Sequence, residues 1–239
     1  MSINGGSTNP IFNAKYKNIP IKSDSRVHGA VLAFFGEMTR SSYHGITVLD
    51  VATGKGALAQ AVIDGFPGIA IDCNDLEPGV MATGVRATFC KDLNCDFDFQ
   101  CKYDVILAVE IIEHLENPFH FVRTLKNHLN PNGLIILTTP NLDSFFDRLW
   151  FLYHGYPHYF GARGIVNSGG HITMCPEWLL RHIAEKYDMQ FHLASDSIDS
   201  KGLVGKRSQL LMSLLYPLRF VMKNLNDRSG NVCIFRKKS

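Results

Sequence analysis

The chain has 239 residues, 46% of them hydrophobic, with 24 Lys and Arg against 22 Asp and Glu for a formal charge of +2. That length and apolar content suffice for one domain with a sizeable core, and the dispersed charges of both signs build no field of the kind that draws a protein onto nucleic acid. The six cysteines lack the spacing of a disulfide framework, and the N-terminus shows no basic segment followed by an apolar run, so a reducing, cytoplasmic setting is expected.

Residues 1–25 are polar and read as a mobile arm ahead of a single domain, 26–239. Apolar spacing from Val27 to Phe35 predicts a helix over 26–38. Strands are predicted at 46–51, 68–75, 85–92, 102–110 and 133–140, with helices at 57–64 and 118–129 between them. A helix over 176–187, with Pro176 near its first turn, and strands at 189–195 and 231–237 complete the pattern. Alternating helices and nearly continuous apolar strands predict an α/β fold with a doubly wound, mostly parallel seven-stranded sheet, whose ligands bind beyond the carboxyl ends of the strands. The segment 141–175, long and rich in Tyr, His and Gly, is expected to be a lid.

The first strand of this alternation ends in "VLDVATGKG", where Asp50 precedes Gly54 and Gly56 and a helix follows. Glycine admits close approach of backbone to ligand, and a helix N-terminus favours hydrogen-bond acceptors. Residues 54–59 also satisfy GxGxxA, the dinucleotide fingerprint. Asp50, however, would face a diphosphate with like charge, and it suits a cationic ligand instead.

With these residues the chain resembles the class I S-adenosylmethionine-dependent methyltransferases, with Ala52 and Thr53 where Gly and Cys are frequent. The same resemblance extends through "NDLEP" (74–78), "CKDLNCDF" (90–97), "AVEIIEHLENP" (108–118) and "LKNHLNPNGLIILTTPN" (125–141), and more distantly to quinone O-methyltransferases. It implies S-adenosyl-L-methionine as cofactor, a Rossmann-like fold, and cofactor contacts from Asp50, Ala52, Gly54, Gly56, Asp75, Asp92, Leu93 and Glu110. Asp72 is the alternative to Asp75 for the ribose hydroxyls, although Asp75 is in phase with Ile69, Ile71 and Cys73. For each aspartate, ordinary turn and capping chemistry is the competing explanation.

If "EIIEH" begins a helical turn, Glu110, Glu113 and His114 share one face. They would hold substrate, supply a base or bind a cation, or else merely brace the loop before Pro118. In some quinone O-methyltransferases carboxylates in a similar segment are linked to metal, but no independent metal signature accompanies these residues and none is expected. Cys90, Cys95 and Cys101 form no CxxC pair and read as plain thiols. His171, in "SGGHITM", is the first candidate for a general base and His114 the second; structural loop histidines are the alternative. Tyr153, His154, Tyr156, His158 and Tyr159 shape an acceptor pocket or anchor the lid, and His28 is a weaker candidate for closing over the cofactor.

Between the last two strands, 201–229 forms a helical insertion whose apolar-basic stretch 206–228 is too short and interrupted to span a bilayer. It reads as a packing element or homodimer interface, or as an interfacial helix giving peripheral contact with the inner face of the membrane. With "VEIIEHLENPFHFVRTL", "LTTPN" and the later "GGHI", the chain also resembles bacterial methyltransferases of surface-polysaccharide or lipid-linked biosynthesis, a resemblance that implies methyl transfer to a hydroxyl of a glycan, lipid-linked or other small-molecule acceptor. A NAD-dependent oxidoreductase and a non-catalytic S-adenosylmethionine-binding protein are the readings from other classes.

Overall fold

Apolar strands that must be covered on both faces dictate a layered α/β architecture. The computed structural model describes residues 14–39, 44–161, 170–194, 216–220, 222, 225 and 230–238. A short antiparallel hairpin, Lys15–Tyr16 (β1) and Ile19–Pro20 (β2), leads into helix Ser25–Met38 (α1). Then follow Thr47–Asp50 (β3), Ala57–Gly65 (α2), Ala70–Asn74 (β4), Ala87–Phe89 (β5) and Tyr103–Ala108 (β6). A 3-10 turn at Ile112–His114 precedes Pro118–Asn127 (α3), Leu129–Pro140 (β7) and Phe145–His154 (α4). The remainder comprises Glu177–Lys186 (α5), Met189–Leu193 (β8), a 3-10 turn at Tyr216–Phe220, and Gly230–Lys237 (β9).

The expected seven-stranded sheet forms, in the order β5-β4-β3-β6-β7-β9-β8. Its first five strands are parallel neighbours, whereas β9 runs antiparallel to both β7 and β8. Side chains alternate across this sheet into two buried layers. Val48, Ile71, Val105 and Ile136 pack with Val31 and Phe35 of α1 and with Leu58 and Val62 of α2. Leu49, Ile106, Ile135 and Phe235 pack on the other face with Phe121 and Leu125 of α3 and Leu180 and Ile183 of α5.

Three elements depart from the sequence expectation. The β1–β2 hairpin and the first residue of α1 fall within the arm expected over 1–25, where the Tyr16 hydroxyl and Lys17 ammonium reach Asp64 of α2. β7 starts at Leu129 because Leu129 already pairs with Tyr103; the chain then bulges, with Asn132 at φ 62°, before pairing resumes at Leu134 opposite Val105. The Pro-Asn-Gly turn is therefore a bulge inside a strand. Within the expected lid, α4 is a regular helix. Its outer side carries exposed Phe151, Leu152 and Tyr153, which obscure the amphipathic period. Its end signals are nonetheless in the sequence: the Ser144 hydroxyl accepts from the Asp147 N–H at 3.0 Å, and Gly155 at φ 79° stops the helix. Residues 1–13 of the arm, 162–169 of the lid and most of the 201–229 insertion lie outside the described residues.

Asp72 lies in β4, 1% exposed, where Arg86 grips its two carboxylate oxygens at 2.8 and 2.5 Å and the Tyr103 hydroxyl donates to it at 2.8 Å. Removing the cation leaves a buried carboxylate with one neutral donor. Arg86→Met is expected to destabilise the fold by about 2 kcal/mol, the outer exposure of Arg86 moderating the loss. Calorimetry at pH 7 should then find a melting temperature roughly 4–8 °C lower.

Candidate active site

Parallel pairing brings the ends of β3, β4 and β6 to one rim of the sheet. Asp50 pairs in register with Cys73 of β4 and with Leu107 of β6. Beyond this rim lies a cleft of about 200 Å³, lined by Asp50, Ala52 and Gly54 from the turn after β3, Asp75 after β4 and Glu110 after β6. Pro20, Ile21, Lys22, Ser23 and His28 close it from the N-terminal side.

The turn is built by glycine. Gly54 has φ 57° and a Cβ there would meet nothing within 4 Å, so its face stays open toward the cleft. Gly56, at φ 90°, caps α2 and packs closely on Ala82 and Val80, which makes it a structural glycine behind the lining. Asn74, the last residue of β4, ties the surrounding loops together. Its amide donates to the Val51 and Lys91 carbonyls at 2.9 and 3.2 Å and its oxygen accepts from the Lys91 N–H at 2.8 Å.

The three carboxylates differ in their partners. Asp75 accepts from the Gly54 N–H at 2.6 Å and the Glu77 N–H at 2.9 Å. Asp50 is 2% exposed and accepts from the Thr53 hydroxyl at 2.8 Å. Burial pushes its pKa up to about 7, against the Thr53 hydrogen bond and with a contribution from Asp75. Glu110 sits at φ 47°, an uncommon conformation for a non-glycine residue, with its N–H donating to the Thr138 hydroxyl at 2.9 Å. Among the described residues its buried Oε1 has no hydrogen-bond partner, and burial raises its pKa to about 7. His28 is held neutral, because burial lowers its pKa to about 4.

Next to Glu110, the 3-10 turn presents Glu113 and His114. Glu113 is fully buried with neither carboxylate oxygen hydrogen-bonded among the described residues, and burial, then the charge of Glu110, raise its pKa well above the ordinary value. The chain returns to this turn from a distant segment. The Ile172 and Thr173 N–H groups donate to the Glu113 carbonyl at 2.9 and 3.0 Å, and the Thr173 hydroxyl donates to the Leu115 carbonyl. This clamp sets the rings of His171 and His114 edge to face at 4.7 Å. Burial and the neighbouring His114 lower the His171 pKa to about 4. Glu113, His114 and His171 each offer one ligand atom, all within 4.8 Å of one another, a donor set that suits a divalent metal.

A wall of rings continues outward from His171. Phe160 and Tyr159 lie 5.4 and 6.5 Å from it, His158 follows Tyr159 at 4.8 Å, and Trp150 meets His158 at 4.6 Å and stacks on His154 at 3.9 Å. Asp147 fixes this wall by accepting from the His158 N–H at 2.9 Å.

The structure thus brings Asp50, Ala52, Gly54, Asp75, Glu110 and His28 around one cleft, with His114 and His171 together beside Glu113. It does not bring Asp72 there, whose carboxylate is taken up by Arg86 and Tyr103. Nor do Asp92 and Leu93 line the cleft: Asp92 is exposed and accepts from the Asn94 N–H at 2.9 Å, while Leu93 belongs to the core. Missed by the sequence were Lys22 and Ser23, which sit in a stretch that carries no motif.

Similar proteins share this architecture. The family described as "Methyltransferase domain" matches residues 25–192. A ubiquinone biosynthesis O-methyltransferase of Rickettsia felis is 30% identical over 125 residues, 48% of this chain and 51% of the relative. Another from Caulobacter vibrioides is 30% identical over 112 residues, 43% and 44% of the two chains. The chain therefore spans about half the length of the curated relatives it matches. Among solved structures, the plantazolicin methyltransferase BpumL in complex with a triazolic desmethylPZN analog and SAH superposes with a TM-score of 0.56 at 16% identity, covering 89% of this chain and 83% of that one. A SAM dependent methyltransferase from Archaeoglobus fulgidus gives 0.56 at 14% identity, covering 88% and 94%. These structures agree in fold, and the sequence match decides the family: the chain belongs to the class I S-adenosylmethionine-dependent methyltransferases.

Proposed function

We propose that the protein transfers a methyl group from S-adenosylmethionine to a hydroxyl of a small-molecule acceptor. The observation that carries this is the pair of carboxylates, Asp50 and Glu110, that line one cleft and are pushed up in pKa by burial, while the two lysines of the lining, Lys22 and Lys55, pair with Glu77 at 2.7 and 3.9 Å instead. A ligand with sulfonium and ammonium charges supplies what they lack, and a diphosphate would add to their repulsion. Asp75 bonds the Gly54 N–H, so it stands at the turn where the ribose hydroxyls would meet it. Asp92 and Leu93, on the loop fastened by Asn74 to Lys91, are proposed to meet the adenine when the cofactor extends beyond the cleft. Gly56 acts through the shape of the turn.

Methyl transfer is an in-line displacement, so the acceptor oxygen has to lie opposite the sulfur, and much of the protein's task is positioning and exclusion of water. The ring wall from Trp150 to His171 is proposed as the acceptor side. Exposed Phe151, Leu152, Tyr153, Ile172 and Met174 around it favour an apolar or lipid-linked acceptor over a highly charged one. Leu218 and Phe220 are exposed as well, in the longest described stretch of the segment proposed for peripheral membrane contact. Among the described residues no helix is long and apolar enough to cross a membrane.

His171 is proposed to take the acceptor's proton, with His114 beside it. A second reading of this step rests on the convergence of Glu113, His114 and His171 within 4.8 Å. A divalent cation held there would lower the pKa of a coordinated hydroxyl and make the base unnecessary. The two readings separate by chelation: turnover that survives EDTA supports His171 as base, and turnover that is lost and restored by Mn²⁺ supports the cation. His171→Ala should lower turnover at least tenfold under both, with cofactor affinity within about twofold of wild type, since among the described residues the ring meets His114, Tyr159 and Phe160 and does not line the cleft.

Replacing Asp50 by Asn should weaken S-adenosylmethionine binding by about tenfold or more, the worth of a charge-assisted contact. Binding of NADH to the unaltered protein would count against the whole reading. With Asp50 and Glu110 titrating near 7 in the free cleft, a cationic ligand has to displace their protons at lower pH. Affinity should therefore fall between pH 7.5 and 5.5, by up to about tenfold per pH unit for each group. Calorimetry in buffers of different ionisation heat should register the released protons at pH 6. Methyl-labelled S-adenosylmethionine incubated with separated lipid and soluble cell fractions then identifies the acceptor class.

A further inference from the structure

Residues 14–23 cross the mouth of the cofactor cleft as a strap. The Ile21 N–H donates to the Ala14 carbonyl at 2.9 Å and closes the strap into a loop that turns at Lys17, φ 51°. One side is fastened to α2: the Tyr16 hydroxyl and the Lys17 ammonium reach the Asp64 carboxylate at 2.9 and 2.7 Å. Ile19 is buried beneath it, 6% exposed. The other side is fastened beyond β4, where Lys22 meets Glu77 at 2.7 Å, and the Glu77 N–H in turn donates to Asp75. Pro20 and Ile21 between the two fastenings, and Lys22 and Ser23 at the second, line the cleft together with Asp50, Gly54 and Asp75.

The position of the strap decides what it does: with Pro20, Ile21, Lys22 and Ser23 in its lining, the cleft of about 200 Å³ is narrow beside the roughly 300–1,000 Å³ usual for sites that hold ligands of cofactor size, and the strap is the part of its wall held by surface ion pairs. The fastenings are of a kind that releases readily: the side chains of Lys22 and Glu77 are 62% and 60% exposed and that of Lys17 is 61% exposed, and ion pairs this open to water hold weakly.

We propose that residues 14–23 are the gate for cofactor exchange, lifting to admit S-adenosylmethionine and to release its demethylated product, with Asp64 and Glu77 as the two catches. This rests on the cleft being the cofactor site. Asp64, Tyr16 and Lys17 stand outside the cleft lining, so altering them changes the gate without touching the ligand.

The test uses S-adenosylhomocysteine as probe, with surface plasmon resonance on the full chain, the Asp64→Ala variant and, independently, the Tyr16→Phe/Lys17→Gln double variant. A gate predicts that association and dissociation both quicken by a common factor of about three to ten, leaving Kd within twofold, because the open population rises in the free and bound states alike. Unchanged rates in both variants overturn the gate and make the strap a fixed wall. Faster dissociation with unchanged association also overturns it, and makes the strap a ligand contact. Failure of the unaltered chain to bind the probe overturns the assignment of the cleft itself, a result distinct from either.

Discussion

Parallel pairing of β3 with both β4 and β6 is the constraint on which the site depends. Strands that run the same way end on the same side, so residues far apart in sequence arrive together without any attraction between them. Here the arrivals are Asp50, Asp75 and Glu110, three acids at one rim. Such a gathering raises the energy of the unliganded protein, and the packed layers on both faces of the sheet supply the stability that tolerates it. The strain at Glu110, a non-glycine residue with positive φ, lies at the same rim.

Much of this was legible in the sequence because it is local. Continuous apolar runs bounded by Gly, Pro and Asn fix the strands, and the Asp50 to Gly56 turn announces a ligand by its glycines and its acid. The choice between Asp75 and Asp72 was legible only as a matter of phase, and side-chain partners carry it further: Arg86 and Tyr103 occupy Asp72, fourteen and thirty-one residues away. Asp92 shows the limit of transferring a motif, since its position on the loop follows the pattern while its side chain bonds its own turn.

What remained illegible is non-local. Glu113 and His171 are brought together by backbone hydrogen bonds between loops, and backbone groups carry no residue identity for a sequence pattern to reveal. Helix α4 hid behind its exposed aromatics, although Ser144 and Gly155 mark its ends. The strap hid because a polar, proline-containing stretch reads as a loose arm; its order comes from side chains such as Tyr16 and Lys17 meeting Asp64 on a helix that follows later in the chain.

The place of β9 has a consequence for how the molecule is made. It lies between β7 and β8 and pairs with both, yet it follows them in the chain. During synthesis β7 and β8 emerge with open edges facing a gap that neither can fill for the other. Such edges invite pairing with foreign strands. The polar residues Gln190 and His192 on β8, both exposed, discourage that mispairing while the gap is open. Completion of the sheet thus waits until residues 230–237 have followed both of their partners, and nascent chains stalled between β8 and residue 230 should be those most in need of a chaperone.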